Sequence, residues 1–175
     1  MGFLVLEDGS IFEGTCFGAL DKVVGEVVFT TGMTGYQETL TDPSYYGQIV
    51  VMTFPMVGNY GINKMDIESE IPRVRGFIVR EACSKPNNWM STQTLEEYLY
   101  KNKIVALQGI DTRALTRRIR EKGTMNGLIT PYPPADEDIL QLKEYRLHKP
   151  VEHVMTKKVY TIPGEGHHIA VIDFG

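Results

Sequence analysis

Short apolar runs separated by polar turns set the pattern of this chain. Phe3 to Leu6 and Ile11 to Phe17 flank Asp8-Gly9-Ser10, and Asp-Gly between two such runs predicts a β-hairpin. Val23 to Phe29 and Ile49 to Phe54 read as two further strands, the second stopped by Pro55, which cannot donate to a ladder. Val74 to Val79 is a shorter strand in which Gly76 marks a bulge or a close-packing point. The period then lengthens. Leu95, Tyr98 and Leu99 predict a helix over Thr94 to Lys101, with Thr92 or Thr94 as N-cap and Glu96 and Glu97 in the first turn. Ile104 to Ile110 reads as a buried strand leading into a helix over Asp111 to Lys122, with Asp111 as cap, Leu115 and Ile119 inward and Gly123 as the stop. Leu128 and Ile129 close a last strand. Pro131, Pro133 and Pro134 interrupt, and Ala135 to Leu147 resumes a helical pattern through Ile139, Leu142 and Tyr145. The expected class is mixed α/β.

Between the strands at Val23 and Ile49 lies Thr30 to Gly47, TTGMTGYQETLTDPSYYG. Gly32 and Gly35 can take positive φ, Tyr36 to Leu40 can make one helical turn, and Asp42-Pro43 starts a turn. The segment offers hydroxyls and an amide but no nucleophile beside a base, so it reads either as a connector or as a loop that holds a ligand or partner. The turn-rich Gly58 to Asn63 reads equally as a surface loop or a functional one. Asp66, Glu68 and Glu70 beyond it are expected in solvent.

Composition narrows the class. With 42% hydrophobic and 23% charged residues in 175, the chain is an ordinary globular one, and its apolar runs are far too short for a membrane span. The Met1-Gly2-Phe3 start lacks the features of a secretory signal, so a cytoplasmic protein is expected. A net charge of −4 argues against a general grip on nucleic acid, and the basic residues Arg117, Arg118, Arg120 and Lys122 are read as a solvated or partner-facing helix side. Cys16 and Cys83 have no partner at metal-binding or disulfide spacing and are expected as buried free thiols. Adjacent His167 and His168 on a strand would point to opposite faces, a poor metal site. Residues 149–166, ending in Pro163-Gly164-Glu165-Gly166, read as a linker, and Ile169 to Ile172 as a new strand.

The string Met33-Thr34-Gly35-Tyr36-Gln37-Glu38, followed by Leu40-Thr41-Asp42-Pro43-Ser44-Tyr45-Tyr46-Gly47, closely resembles the signature of the small, glutamine-hydrolysing subunit of carbamoyl-phosphate synthetase. Similarity extends to Leu4 to Gly9, Gly25 to Phe29, Gly58 to Gly61, Asp111 to Arg113 and Leu115 to Arg117; it is weakest from Pro131 to Gly166 and resumes at Ile169 to Gly175. Gly32 stands where other members carry serine.

That resemblance implies a swivelling β/β/α three-layer domain over residues 1–148, a linker over 149–166, and over 167–175 the first strand of a class I glutamine amidotransferase domain. In such a family glutamine is hydrolysed by a cysteine nucleophile assisted by histidine and glutamate. Ammonia then passes to a large subunit that makes carbamoyl phosphate from bicarbonate, ammonia and two ATP. Cys16, although flanked by Gly14 and Gly18, lies inside a strand-like run and Cys83 at the end of another, and neither is introduced by the turn that would present a nucleophile. Any glutaminase triad is therefore expected beyond Gly175, and this stretch is expected to carry no catalytic, cofactor or metal residue of its own, ATP and magnesium being used by the large subunit. One site residue is implied: Ser44, the serine of Asp-Pro-Ser-Tyr, as a contact to L-glutamine, its alternative role being an ordinary turn hydrogen bond. The implied partner is the large subunit, with the basic helix and the Gly58 to Asn63 loop as candidate contacts. A stand-alone interaction module of the same fold is the alternative reading, and the residues do not separate arginine from pyrimidine synthesis.

Overall fold

The structure, a computed structural model, describes all residues from Met1 to Gly175. Nine strands and five helices form in it: β1 (Gly2–Leu6), β2 (Ile11–Gly18), β3 (Val23–Thr30), α1 (Tyr36–Thr41), β4 (Gln48–Met52), β5 (Met56–Val57), β6 (Gly76–Ile78), β7 (Glu81–Ala82), α2 (Leu95–Lys101), β8 (Val105–Gln108), α3 (Thr112–Lys122), β9 (Met125–Thr130), α4 (Asp136–Glu144) and α5 (Pro150–Val154). Seven of the strands close into a barrel in the order β1-β2-β8-β6-β4-β3-β9, and β5 pairs with β7 in a separate two-stranded ribbon. The class is mixed α/β. One wall, β3-β4-β6-β8, is parallel, and the other, built on β1, β2 and β9, is antiparallel; the seams are the antiparallel ladders β2/β8 and β3/β9. Parallel neighbours need crossover connections, and α1 and α2 are carried in two of them.

The local chemistry follows the expected signals closely at the turns. Gly9 takes φ +85°, and the Asp8 carboxylate accepts from the Ser10 amide, so β1 and β2 pair as a hairpin from Gly2 opposite Gly14 to Val5 opposite Ile11. Thr94 and Glu97 form a reciprocal capping box at α2, and Asp111 caps α3 by accepting from the Ala114 amide at 3.0 Å. Gly76 sits in an unbroken register opposite Ile49, so it is a close-packing point and not a bulge: a Cβ there would lie 2.9 Å from the Ile129 side chain.

Two apolar layers hold the fold. Inside the barrel Leu4, Leu6, Val27, Ile49, Val51, Ile78, Leu107 and Ile129 pack together, and Leu115 and Ile119 of α3 join them. The outer face of the parallel wall, with Val50, Met52, Phe77 and Ala106, is covered by Tyr36 and Leu40 of α1 and Leu95 and Leu99 of α2. On the other side α4 lays Leu142 on Val5 and Leu128. Each fully buried Leu or Ile here contributes on the order of 1.5–3 kcal/mol, which is why short strands suffice.

Several boundaries differ from expectation. The last strand is β9, longer than Leu128–Ile129 because it pairs on both edges, with β1 and with β3. The helix expected to Leu147 ends at Glu144. Within residues 149–166, read as a linker, Pro150 to Val154 makes one helical turn, α5. The strand expected at Ile169 to Ile172 is not formed: a strand needs a neighbour for its backbone groups, nothing in the chain pairs with it, and Ile169, Val171 and Ile172 are all exposed. Cys16 and Cys83 are free thiols but only half-buried.

Candidate functional site

The stretch Thr30 to Gly47 is two sites, not one loop. Because β3 and β4 are parallel, α1 must carry the chain back across the wall from the carboxyl end of β3 to the amino end of β4. Thr30 to Gly35 therefore lies at one end of the wall, and the Asp42 to Gly47 turn at the other.

The first end is a locked joint. Gly35 enters α1 with φ +80° and brings no side-chain cap, so the orphan amides are met from elsewhere: the Gly35 and Tyr36 N–H groups donate to the Tyr60 hydroxyl at 2.8 and 3.3 Å. The two rings stack with centroids 4.2 Å apart, and Tyr36 Oη donates to the Gly61 carbonyl at 2.5 Å. Gln37 completes the joint by donating to the Asn63 carbonyl at 2.6 Å and accepting from its amide at 2.9 Å. Burial, and then the neighbouring Tyr60, pushes the Tyr36 phenol well above its ordinary pKa; burial likewise raises Tyr60, so both stay neutral. Gly58 to Asn63 is thus no free surface loop. It is a strut under α1, and Ile62 and Asn63 are buried.

At the second end Ser44 is the middle residue of a single 3₁₀ turn, Pro43–Tyr45. Its side chain is exposed. The donors of this turn can be accounted for one by one: Pro43 has none, the Ser44 amide goes to Asp42 Oδ1 at 2.8 Å, those of Tyr45 and Tyr46 to the carbonyls of Asp42 and Pro43 at 3.1 Å each, and that of Gly47 to the Arg73 carbonyl at 3.2 Å. The Ser44 hydroxyl closes none of these bonds. Its alternative role as the turn's own hydrogen-bonding group is taken by Asp42.

Behind this turn runs the segment that leaves α4. Leu147 covers Gly47, whose φ is +76° and where a Cβ would meet the leucine methyl at 2.6 Å. The His153 ring of α5 stacks on Tyr46 with centroids 5.1 Å apart, and Arg73 Nη1 donates to the His153 carbonyl at 3.5 Å. The sequence marks Asp42 only as a turn starter and Tyr60 and Asn63 only as part of a turn-rich loop, and nothing in it marks His153, although Tyr60 and Asp42 stand inside the motifs that carry the resemblance. Their partners are residues distant in sequence or in a turn whose geometry only folding sets.

The other candidates are elsewhere. Of the basic residues on α3, Arg118 pairs with Asp8 at 2.6 Å, Lys122 with the same carboxylate at 3.5 Å, and Arg117 with Glu121 at 4.0 Å. Asp66 is half-buried and accepts from Asn63 Nδ2 at 2.7 Å, whereas Glu68 and Glu70 are exposed. His167 and His168 are exposed. One cleft of about 300 Å³ opens between Glu7, Glu26, Asn126 and Arg146, and another of about 600 Å³ between Ile11 and α3; Ser44 lines neither. No helix is long and apolar enough to cross a membrane.

The profile of the family "Carbamoyl-phosphate synthase small chain, CPSase domain" matches residues 4–129, a span that includes both ends of the parallel wall. The chain belongs to this family. Similarity also runs past the match: carbamoyl phosphate synthase small chains of Clostridium perfringens and Caldanaerobacter subterraneus are 56% identical over 173 residues and 57% over 174. These cover 98% and 99% of this chain but 50% and 47% of theirs. The pyrimidine-specific small chain of Bacillus subtilis is 52% identical over 177 residues, covering 98% of this chain and 48% of its own. The chain therefore spans about half the length of the small chains it matches. Among solved structures, an aminopeptidase from Aneurinibacillus sp. strain AM-1 overlaps 74% of this chain and 30% of its own at TM-score 0.40 and 14% identity, too loose a likeness to inform the fold or the function.

Proposed function

We propose that this chain is the leading domain of the glutamine-hydrolysing subunit of carbamoyl-phosphate synthase, and that Ser44 contacts L-glutamine held by the part of the subunit that follows. The whole subunit releases ammonia from glutamine and passes it to a large partner chain, which makes carbamoyl phosphate from bicarbonate, ammonia and two ATP in the cytoplasm. In this reading residues 1–148 are a swivelling β/β/α domain, 149–166 a linker and 167–175 the first strand of the amidotransferase domain. Its neighbouring strands come from residues further on.

The observation that carries the Ser44 role is the accounting of its turn. Every backbone donor from Ser44 to Gly47 is satisfied without the serine hydroxyl, which stands exposed and able to donate to a carboxylate or accept from an ammonium group. Leu147 and His153 lay the departing chain against the same turn, which supports a following domain close to it. On its own this domain is expected to release no ammonia from glutamine, since Cys16 lies inside β2 and Cys83 directly after β7, neither on a strand-to-helix turn that would present a nucleophile.

The test is Ser44→Ala in the full-length small chain assembled with its large partner. A lost hydrogen bond to a charged end of glutamine raises the glutamine KM about ten- to a hundredfold. Because that end is remote from the amide being cleaved, kcat changes little. Synthesis from added ammonia is unaffected. An unaltered glutamine KM would refute the assignment, and loss of the ammonia-dependent reaction would point to failed folding or assembly.

A further inference from the structure

We infer that Asp42 is a positioning residue for glutamine, acting through Ser44; the inference rests on the proposed contact between Ser44 and glutamine. Asp42 is the hinge residue between two elements. Its amide closes α1 by donating to the Glu38 carbonyl at 2.8 Å, and its carbonyl and carboxylate open the 3₁₀ turn by accepting from Tyr45 at 3.1 Å and from the Ser44 amide at 2.8 Å. With φ −67° and ψ 120° the residue is extended, so the chain direction changes here and nowhere else between the helix and the turn.

The geometry divides the work between the two side chains. Pro43 fixes φ at the first turn position and brings no N–H, so the Ser44 amide is the first donor the turn must satisfy. Serine hydroxyls often satisfy such local backbone groups themselves. Here the Asp42 carboxylate does so, which leaves Ser44 Oγ free and holds the backbone that aims it. From behind, Gly47 is tied to Arg73 and covered by Leu147, so Asp42 is the front anchor of a turn whose rear is already fixed. Without that anchor the turn spends only part of its time with the hydroxyl in the binding geometry, and apparent affinity falls by that fraction.

The experiment uses the full-length small chain with its large partner, in four forms besides wild type: Asp42→Ala, Asp42→Asn, Ser44→Ala and Asp42→Ala with Ser44→Ala. Asp42→Ala raises the glutamine KM about three- to tenfold, the range expected for losing one capping hydrogen bond, with little change in kcat. Asp42→Asn keeps an acceptor oxygen and restores most of the affinity. The double variant has the KM of Ser44→Ala alone, because a residue that acts only through Ser44 has nothing left to position. Ammonia-dependent synthesis reports folding and assembly in each form. Three results overturn the inference while leaving Ser44 in place: an unchanged KM for Asp42→Ala, an Asp42→Asn variant as impaired as the alanine, or a double variant whose KM exceeds that of Ser44→Ala by the full Asp42 factor. An unchanged KM for Ser44→Ala overturns both this inference and the reading it rests on.

Discussion

Replacing Tyr60 with phenylalanine isolates one oxygen atom at the joint between α1 and the Gly58–Asn63 strut. That oxygen accepts from the amides of Gly35 at 2.8 Å and Tyr36 at 3.3 Å, and Gly35 offers no side chain to take its place. The ring and its stack on Tyr36 survive the substitution, so apolar burial is nearly constant, and the loss is that of two backbone donors left without a partner. A fully buried orphan donor costs about 1–3 kcal/mol. Both bonds are only part-buried and the second is long, which brings the expected total to about 1–2 kcal/mol for the pair. For a chain of this size that is a fall of roughly 2–8 °C in Tm. Urea unfolding followed by circular dichroism gives the first number, and amide hydrogen exchange gives a second, independent one, since Gly35 and Tyr36 should lose protection while the barrel strands keep theirs. Tyr60→Leu, which also forfeits the stack, should be worse. A Tyr60→Phe protein as stable as wild type, with both amides still protected, would show that water serves these donors as well and that the phenol is not the cap.

Two further outcomes follow from the core and from the hairpin. Gly76→Ala places a Cβ 2.9 Å from Ile129 and 3.2 Å from Ile49, both fully buried, so overpacking should cost about 1–3 kcal/mol in urea unfolding; no loss would mean the barrel interior is looser than its contacts. For Asp8, burial raises the carboxyl, but hydrogen bonds from Ser10 and the Arg118 guanidinium outweigh it and hold the pKa at about 2, against 3.8 ordinarily. A depressed carboxylate pKa stabilises the fold above the unfolded value and loses that contribution as pH falls from about 4 toward 2. Its Arg118 and Lys122 partners are 40% and 56% exposed, so screening reduces the contribution to about 1 kcal/mol. The stability advantage of wild type over Asp8→Asn should shrink across that window, and a gap independent of pH would remove the ion pair as its source.

The sequence by itself determined what local chemistry can determine. Asp8-Gly9-Ser10 specifies a hairpin because Gly9 can take φ +85° and apolar runs flank it on both sides; Asp111 and Thr94 specify helix starts because their side chains reach amides only three residues on. Asp42-Pro43 signalled a turn for the same reason, whereas Ser44 was implied only by the resemblance of the motif around it. Tertiary structure decided what depends on partners remote in the chain. Whether two sheets stay apart or close is set by the seams β2/β8 and β3/β9, whose members stand far apart in sequence, so no local period announces a barrel. The parallel pairing of β3 with β4 split one sequence segment between opposite ends of a wall, and only then did Tyr60 become a helix cap. The same holds in reverse at Ile169 to Ile172. Its apolar pattern reads as a strand, yet a strand is a relation between two segments, and without a neighbour to share its hydrogen bonds the pattern alone leaves it exposed.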